Sequence, residues 1–445
     1  MQTDSRPFAV THRGVLAIAV PMTLAYLTTP LVGAVNLAVI GQLGDPALVG
    51  GVSIGALVFD MVFLTFNFLR SGTTGLVAQA LGAGDREEIA ATFYRALLMA
   101  LAIGCAILIL KDPIAMLAVR LIGGSGAVQE ATGTYWQVRV LSAPLALANY
   151  VILGWLIGLG RAGYGLFLQA VLNGVNMLLS ILLVSRLGMS VAGVGWASVA
   201  AEATTFLVGV PVAWRLMGST ARPDWQRILE RPAFLRMAAV NRDIMIRSFT
   251  LLFAFAFFTA KSAAAGDVVL AANEILMNLI AVAAYFLDGF AAAAEQLAGR
   301  AIGALYRPAF DRAVLLTIGW GFAVGAVVSL VFWLAGPTII DWMTTSPPVR
   351  ASGRVYLVFA ALVPVVGTLA YQMDGVFIGA TWSADMRNMM LLSLAAYLLT
   401  WWGLSGALGI AALWIALWVF LGLRGLTLVW RMRSRLPSVF PADAR

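Results

Sequence analysis

The sequence predicts an all-α polytopic membrane protein, with twelve transmembrane helices in two pseudo-symmetric six-helix bundles. Three observations predict it. Hydrophobic residues make up 61% of the 445-residue chain and charged ones 11%, too few charges to coat a soluble globule. Stretches of about twenty apolar residues recur, each long enough to cross the hydrocarbon core as a helix. The chain also repeats itself. Gly154-Trp-Leu-Ile-Gly158 is echoed half a chain later by Gly375-Val-Phe-Ile-Gly379, each preceded by a proline, Pro144 or Pro364. Gln79, Gly82 and Arg95-Ala96 return in one common register as Gln296, Gly299 and Arg312-Ala313. A half-chain repeat in so apolar a protein is the pattern of two related membrane lobes.

The first helix, at 14–40, carries Pro21 and Pro30. Each lacks an amide hydrogen and crowds the preceding turn, so this helix is expected to kink. Carbonyls freed that way are tolerated in lipid only where other helices, side chains or cavity water satisfy them. It also carries Asn36. The second helix, 48–70, opens on the pair Gly51/Gly55, suited to close helix contact, and holds Asp60 near its middle. The third, 90–110, contains Cys105, the single cysteine, which rules out an intrachain disulfide. The fourth, 135–158, combines Pro144 with Gly154/Gly158. The fifth, 164–185, sets Asn173, Asn176 and Ser180 on one face at i, i+3 and i+7. The sixth, 191–214, sets Ser198 and Glu202 one turn apart.

An Arg-rich linker at 215–240, which also holds Pro223 and Pro232, separates a lobe at 1–214 from one at 241–445. The seventh helix is expected at 241–265. The eighth, 269–297, carries Glu274, Asn278, Tyr285, Asp288 and Glu295, whose spacing places all five on one face. Asp288 falls near mid-span, while Glu274 and Glu295 are expected at the interfaces. The ninth helix, 313–335, is apolar. The tenth, 354–380, contains Pro364 and sets Tyr371 one turn before Asp374. Helices at 388–405 and 407–430 complete the second lobe.

The net charge of +8 comes from basic residues concentrated on the connections that face the cytosol when both termini do. The densest run is Arg215, Arg222, Arg227, Arg231, Arg236, Arg242 and Arg247. These face anionic lipid headgroups, so the basic balance implies no nucleic acid. The N-terminal segment MQTDSRPFAVTHR carries an acid, and the run after it is too long for a signal-peptide core. It reads as a short cytosolic tail. Its His12 is the only histidine, which argues against histidine metal clusters and a histidine-based triad. No soluble catalytic domain fits outside the helices, and no nucleophile–base or metal arrangement suggests an enzyme.

Ionisable residues in mid-membrane are costly and are functional candidates by default. Asp288, Asp374, Glu202 and Asp60 are the candidates for cation coupling. Tyr371 can donate a hydrogen bond to Asp374 and adjust its proton affinity. Asn36, Asn173, Asn176, Ser180 and Ser198 form a polar first-lobe set that can hydrogen-bond or help ligate a cation but cannot carry a proton. Tyr285, Asn278, Glu274, Tyr371 and Met277 are candidates for a substrate cavity, since acidic groups beside aromatic faces attract organic cations.

The blocks PLVGAVNLAVIG (30–41), FLRSGTTGLVAQALGAGD (68–85), AANEILMN (271–278), FLDGFAAAAEQLAGRAIGA (286–304) and DGVFIGATWSADMRN (374–388) carry a resemblance. Over nearly its whole length the chain resembles the multidrug and toxic compound extrusion (MATE) transporters, and more closely their DinF branch. The resemblance implies a cavity that opens alternately to each side of a bacterial cytoplasmic membrane. It also implies export of lipophilic, mostly cationic small molecules against inward H+, or less readily Na+, by a monomer without a cofactor. The sequence departs from the family where coupling is concerned. Relatives usually carry an aspartate in helix 1 within P-x-x-G-x-x-D, where this chain has Asn36. They often carry another in helix 5 within N-x-x-x-D, where it has Asn176 and Ser180; Ser198 corresponds to the hydroxyl of that site. Three options remain: Glu202 or Asp60 supplies the missing acid, Asp288 and Asp374 carry coupling, or coupling is weak or absent. The second is favoured because the helix-8 and helix-10 blocks match the family best.

The alternative reading is a lipid-linked precursor or lipid flippase of the same superfamily. Such proteins commonly have extra helices and a more cationic cavity, whereas the cavity candidates here are acidic or neutral. The basic loop typical of major facilitator proteins after helix 2 is absent.

Overall fold

The computed structural model describes residues 7–122, 125–220 and 224–440. Arg222 and Pro223, expected in the linker, and most of the tail up to Arg6 lie outside the described residues. Twelve helices are long and apolar enough to cross a membrane. They are α1 (His12–Gly41), α2 (Pro46–Ala83), α3 (Arg86–Ile109), α4 (Gly126–Gly158), α5 (Ala162–Arg186) and α6 (Ser190–Met217). The second set is α7 (Arg231–Ala264), α8 (Asp267–Gly303), α9 (Arg307–Met343), α10 (Pro347–Gly379), α11 (Ser383–Leu408) and α12 (Ile410–Val439). A single helical turn, Trp225–Ile228, precedes α7. No strand occurs among the described residues.

Several helices outrun the apolar stretches that announced them, because their polar ends stay helical. α2 continues to Ala83 through a tight turn at Phe66 and Asn67, so the block at 68–85 is mostly helix. α4 starts at Gly126 and passes through a 3-10 turn at Val140–Ser142, just before Pro144, whose missing amide breaks the regular ladder. α7 begins at Arg231, well before the expected start at 241. That places Arg247 about four turns inside the helix. Arg247 therefore does not belong to a solvated connection, as the sequence suggested. α1 remains one helix through both prolines.

Local chemistry sets the helix starts. Asp45 accepts from the Ala47 amide at 2.8 Å with Pro46 at the first helical position, and Asp85 accepts from the Glu88 amide at 2.9 Å.

Contacts divide the chain into two compact units. The first unit comprises Leu24–Val77 and Asp85–Met237; the second comprises Met1–Thr23, Ala78–Gly84 and Ala238–Arg445. Compared with the expected halves at 1–214 and 241–445, the first turns of α1 and the end of α2 join the second half. The linker joins the first half. The reasons are local. Gly82 packs on the main chain of Arg300 and Ala304, and Gly303 packs on Gln79. Gln79 Nε2 also donates to the Gly379 carbonyl at 2.9 Å.

The repeated glycines do the same job in both units. The missing side chains of Gly154 and Gly158 face the carbonyls of Arg70 and Thr74. Those of Gly375 and Gly379 face the carbonyls of Ala291 and Glu295, which stand in the same register to Arg70 and Thr74 as the second glycine pair does to the first. Any Cβ there would push two backbones apart. The core of the second unit is aromatic, built on Phe258, Tyr397, Trp414 and Phe420. One polar relay crosses it: Trp414 donates to Asn273 at 3.3 Å, and Asn273 donates to Ser262 at 2.7 Å.

Candidate functional site

Each unit carries a buried charge cluster. In the first, the end of the initial segment of α4 brings Arg139 to Glu202 of α6. Arg139 Nη2 lies 3.4 Å from Glu202 Oε1, and the Glu202 side chain is 9% exposed. Asn149 of α4 donates to the same residue twice, at 2.8 Å to Oε2 and 3.0 Å to its main-chain carbonyl. The Arg139 guanidinium lies over the Phe59 ring, 3.9 Å from its centroid, which places it next to Asp60 on α2. Asp60 is exposed and feels Arg139 electrostatically. Tyr150 on α4 has Glu202, Asp60, Arg139 and Arg70 as its charged neighbours. Arg70 itself donates to Asn67 and Ser71.

The polar first-lobe residues connect to this cluster. Ser180 donates to Asn176 at 3.4 Å, and Asn176 donates to Ser198 at 2.8 Å. Ser198 and Arg139 are the hydrogen-bond neighbours of the Tyr135 hydroxyl. Hydroxyls and amides thus run from α5 through α6 to α4 and reach Arg139, the partner of Glu202. Asn173 branches away and donates to Thr28 of α1 at 2.6 Å. Asn36 is buried, and its Oδ1 has no hydrogen-bond partner among the described residues. A buried amide oxygen left unpaired is costly.

The second cluster pairs its acid more tightly. Asp374 of α10 accepts from Arg247 Nη1 of α7 at 2.8 Å, and Arg424 Nη2 of α12 stands 3.2 Å from the same oxygen. Tyr371, one turn before Asp374, has Asp288, Arg424, Asp374 and Arg247 as its charged neighbours. Asp374 is thus held between two arginines, whereas Glu202 meets Arg139 alone.

The expected helix-8 face is graded. Glu274 and Asn278 are exposed, Met277, Tyr285 and Asp288 are half-buried, and Glu295, expected at the interface, is 3% exposed. Asn278 donates to the Glu274 carbonyl of its own helix at 2.9 Å, and Glu274 accepts from Thr259 at 3.2 Å. Met277 packs on the aromatic core. Pro21 lies in the turns of α1 that join one unit, and Pro30 in the part that joins the other.

Reading the sequence for acids missed the arginines. Arg139, Arg247 and Arg424 all sit within apolar helices, and the rule that flags intramembrane carboxylates flags them equally. Tyr150 was available from the repeat, because Tyr371 is its counterpart in the same register that relates the two glycine pairs.

Twelve spans, a repeated glycine packing scheme and a buried charge cluster in each unit define a multi-pass membrane protein of the two-lobed transporter class. The sequence profile of the MatE family matches residues 21–182 and 243–402. The chain is 40% identical to DNA damage-inducible protein F of Escherichia coli, over 96% of this chain and 93% of that one. It is 26% identical to the probable multidrug resistance protein NorM of Chromobacterium violaceum, over 94% and 92%. A solved MATE structure in a bent conformation superposes with a TM-score of 0.89 at 18% identity, covering 97% of both chains. The chain belongs to the MATE family of multidrug and toxic compound efflux transporters, in its DinF branch.

Proposed function

We propose that this protein is a proton-coupled antiporter that exports lipophilic, mostly cationic compounds across a bacterial cytoplasmic membrane by alternating access, with both termini cytosolic and no cofactor. The loose pairing of Glu202 carries the coupling assignment: it meets one arginine, Arg139, at 3.4 Å, so a proton and a substrate cation can compete for its carboxylate in turn. That is the competition an antiporter needs: one positive charge must leave before the other binds. Glu202 is held by Asn149, which still finds an acceptor when the acid is neutral. The chain Ser180–Asn176–Ser198–Tyr135 offers a hydrogen-bonded path that ends on Arg139, beside Glu202.

Coupling is thereby assigned to the first lobe rather than to Asp288 and Asp374. Asp374 is already the counter-ion of Arg247 and Arg424, and it answers internal charge before any incoming cation. Asp288 adds the second acid that balances that cluster.

Purified protein in liposomes, loaded with ethidium and given either a proton or a sodium gradient, tests the proposal. Ethidium transport driven by the proton gradient alone is expected. Transport that follows sodium and ignores the proton gradient overturns the ion assignment. Lipid scrambling without ethidium movement favours the flippase alternative.

A further inference from the structure

Three guanidinium N–H groups of the second-unit cluster are buried without an acceptor among the described residues. Both arginines reach one oxygen of Asp374, Oδ2. Arg247 Nε, Arg424 Nε and Arg424 Nη1 are buried with no hydrogen-bond partner among the described residues, as is Asp374 Oδ1. The Arg424 side chain is 3% exposed and that of Arg247 13%. A buried donor without an acceptor costs roughly 1–3 kcal/mol, more when it is charged. Three such donors on adjacent arginines from different helices are more than packing requires. Two hydrophobic side chains would join α7 and α12 to α10 at lower cost.

The geometry suits a particular ligand chemistry. A guanidinium is a planar fork that matches an acceptor with two or three oxygens, as in a carboxylate, sulfonate or phosphate. The Tyr371 and Phe420 rings lie 5.7 and 6.0 Å from the Arg424 guanidinium carbon and supply an aromatic wall beside it. Asp374 already presents such a group to the two arginines, from within the protein.

We propose that Arg247 and Arg424 form an oxyanion subsite for the anionic end of an amphipathic substrate, and that Asp374 is the internal counter-ion this substrate displaces. The inference rests on the efflux reading and deepens it, extending the substrates from lipophilic cations to amphipathic anions and zwitterions. When the substrate oxyanion takes the arginines, the displaced Asp374 carboxylate is left beside Asp288 and Tyr371.

The test measures binding of dansyl-glycine, a fluorescent amphipathic carboxylate, to the full chain in phosphatidylcholine nanodiscs, with parallel ethidium transport in liposomes. Arg247→Gln and Arg424→Gln are each expected to weaken dansyl-glycine by about tenfold or more, the loss of one charged hydrogen-bond set. Asp374→Asn is expected to tighten it, because the internal competitor is removed; a purely structural ion pair predicts weakening instead. Lys261→Gln removes a positive charge elsewhere in the same unit and should leave the affinity unchanged. If Arg424→Gln does not fold, the charge-compensated pair Arg424→Gln/Asp374→Asn takes its place and should also bind weakly. Competition by phosphatidylglycerol nanodiscs identifies a lipid headgroup as the source of the oxyanion; persistence of binding there identifies a free amphipath. Ethidium transport with no dansyl-glycine binding, or binding indifferent to both arginine variants, overturns the subsite and leaves the efflux reading intact. Dansyl-glycine binding in a protein that transports nothing keeps the subsite and overturns the efflux reading.

Discussion

Arg95 and Arg312, counterparts in the sequence repeat, hold equivalent segments of the chain. Arg95 Nε donates to the carbonyl of Ile228 at 3.1 Å, and Arg312 Nε donates to that of Val10 at 2.7 Å. Ile228 leads into α7, the first helix of the second half; Val10 leads into α1, the first helix of the first half. Each arginine thus fixes the entry to the half it does not belong to by sequence, and this is why the compact units exchange those segments.

The two clasps differ in depth, so their loss should differ in cost. Arg95 is 1% exposed and also holds Glu88 at 2.7 Å, whereas Arg312 is exposed. Arg95→Ala should destabilise the protein by about 3 kcal/mol, as for a broken buried ion pair. Arg312→Ala should cost about 1 kcal/mol, one hydrogen bond. Unfolding of the detergent-purified variants checks the ratio; equal losses would contradict the assignment of Arg95 as the deeper anchor.

Close packing at the repeated glycines gives a second expectation. Gly375→Ala places a methyl against the Ala291 carbonyl and should destabilise by roughly 1–3 kcal/mol. Gly174→Ala meets open space on α5 and should be neutral or stabilising by up to about 1 kcal/mol. Thermal midpoints of the two variants, measured side by side, should move in opposite directions or differ by several degrees.

Asn273 is a core residue of the second unit rather than part of a cavity face. Asn273→Leu strands the Trp414 indole N–H, while Ser262 still donates to the Phe258 carbonyl, and should cost about 1–3 kcal/mol. Asn278→Leu, on an exposed position of the same helix, should leave stability within about 0.5 kcal/mol. Denaturation of both proteins in one detergent separates the two roles.

The architecture was legible because its causes are local and repeated. Apolar run length marked all twelve spans, and the 154–158/375–379 glycine pairs marked the packing scheme that relates the halves. The helix ends were less legible, since Arg231–Val240 and Gly126–Thr134 are polar enough to read as connections yet continue their helices. The candidate site was legible only in its acids and amides. Glu202, Asp374, Asn176 and Ser198 were all picked out by helical spacing, but their partners come from helices far along the chain. No spacing rule joins Arg139 to Glu202 or Arg424 to Asp374; only folding does. Tyr150 shows that the repeat itself held unused information, because its mate Tyr371 had already been singled out.

Glu202 meets one arginine and Asp374 two, and this contrast places proton coupling at Glu202. Proton-driven ethidium transport by Glu202→Gln in liposomes tests it most directly, with dissipation of a preformed ethidium gradient as the control for a folded, permeable transporter. Glu202→Gln is expected to lose accumulation driven by the proton gradient but still to let ethidium run downhill. Wild-type accumulation in Glu202→Gln, with loss in Asp288→Asn instead, would contradict it and return coupling to the second lobe.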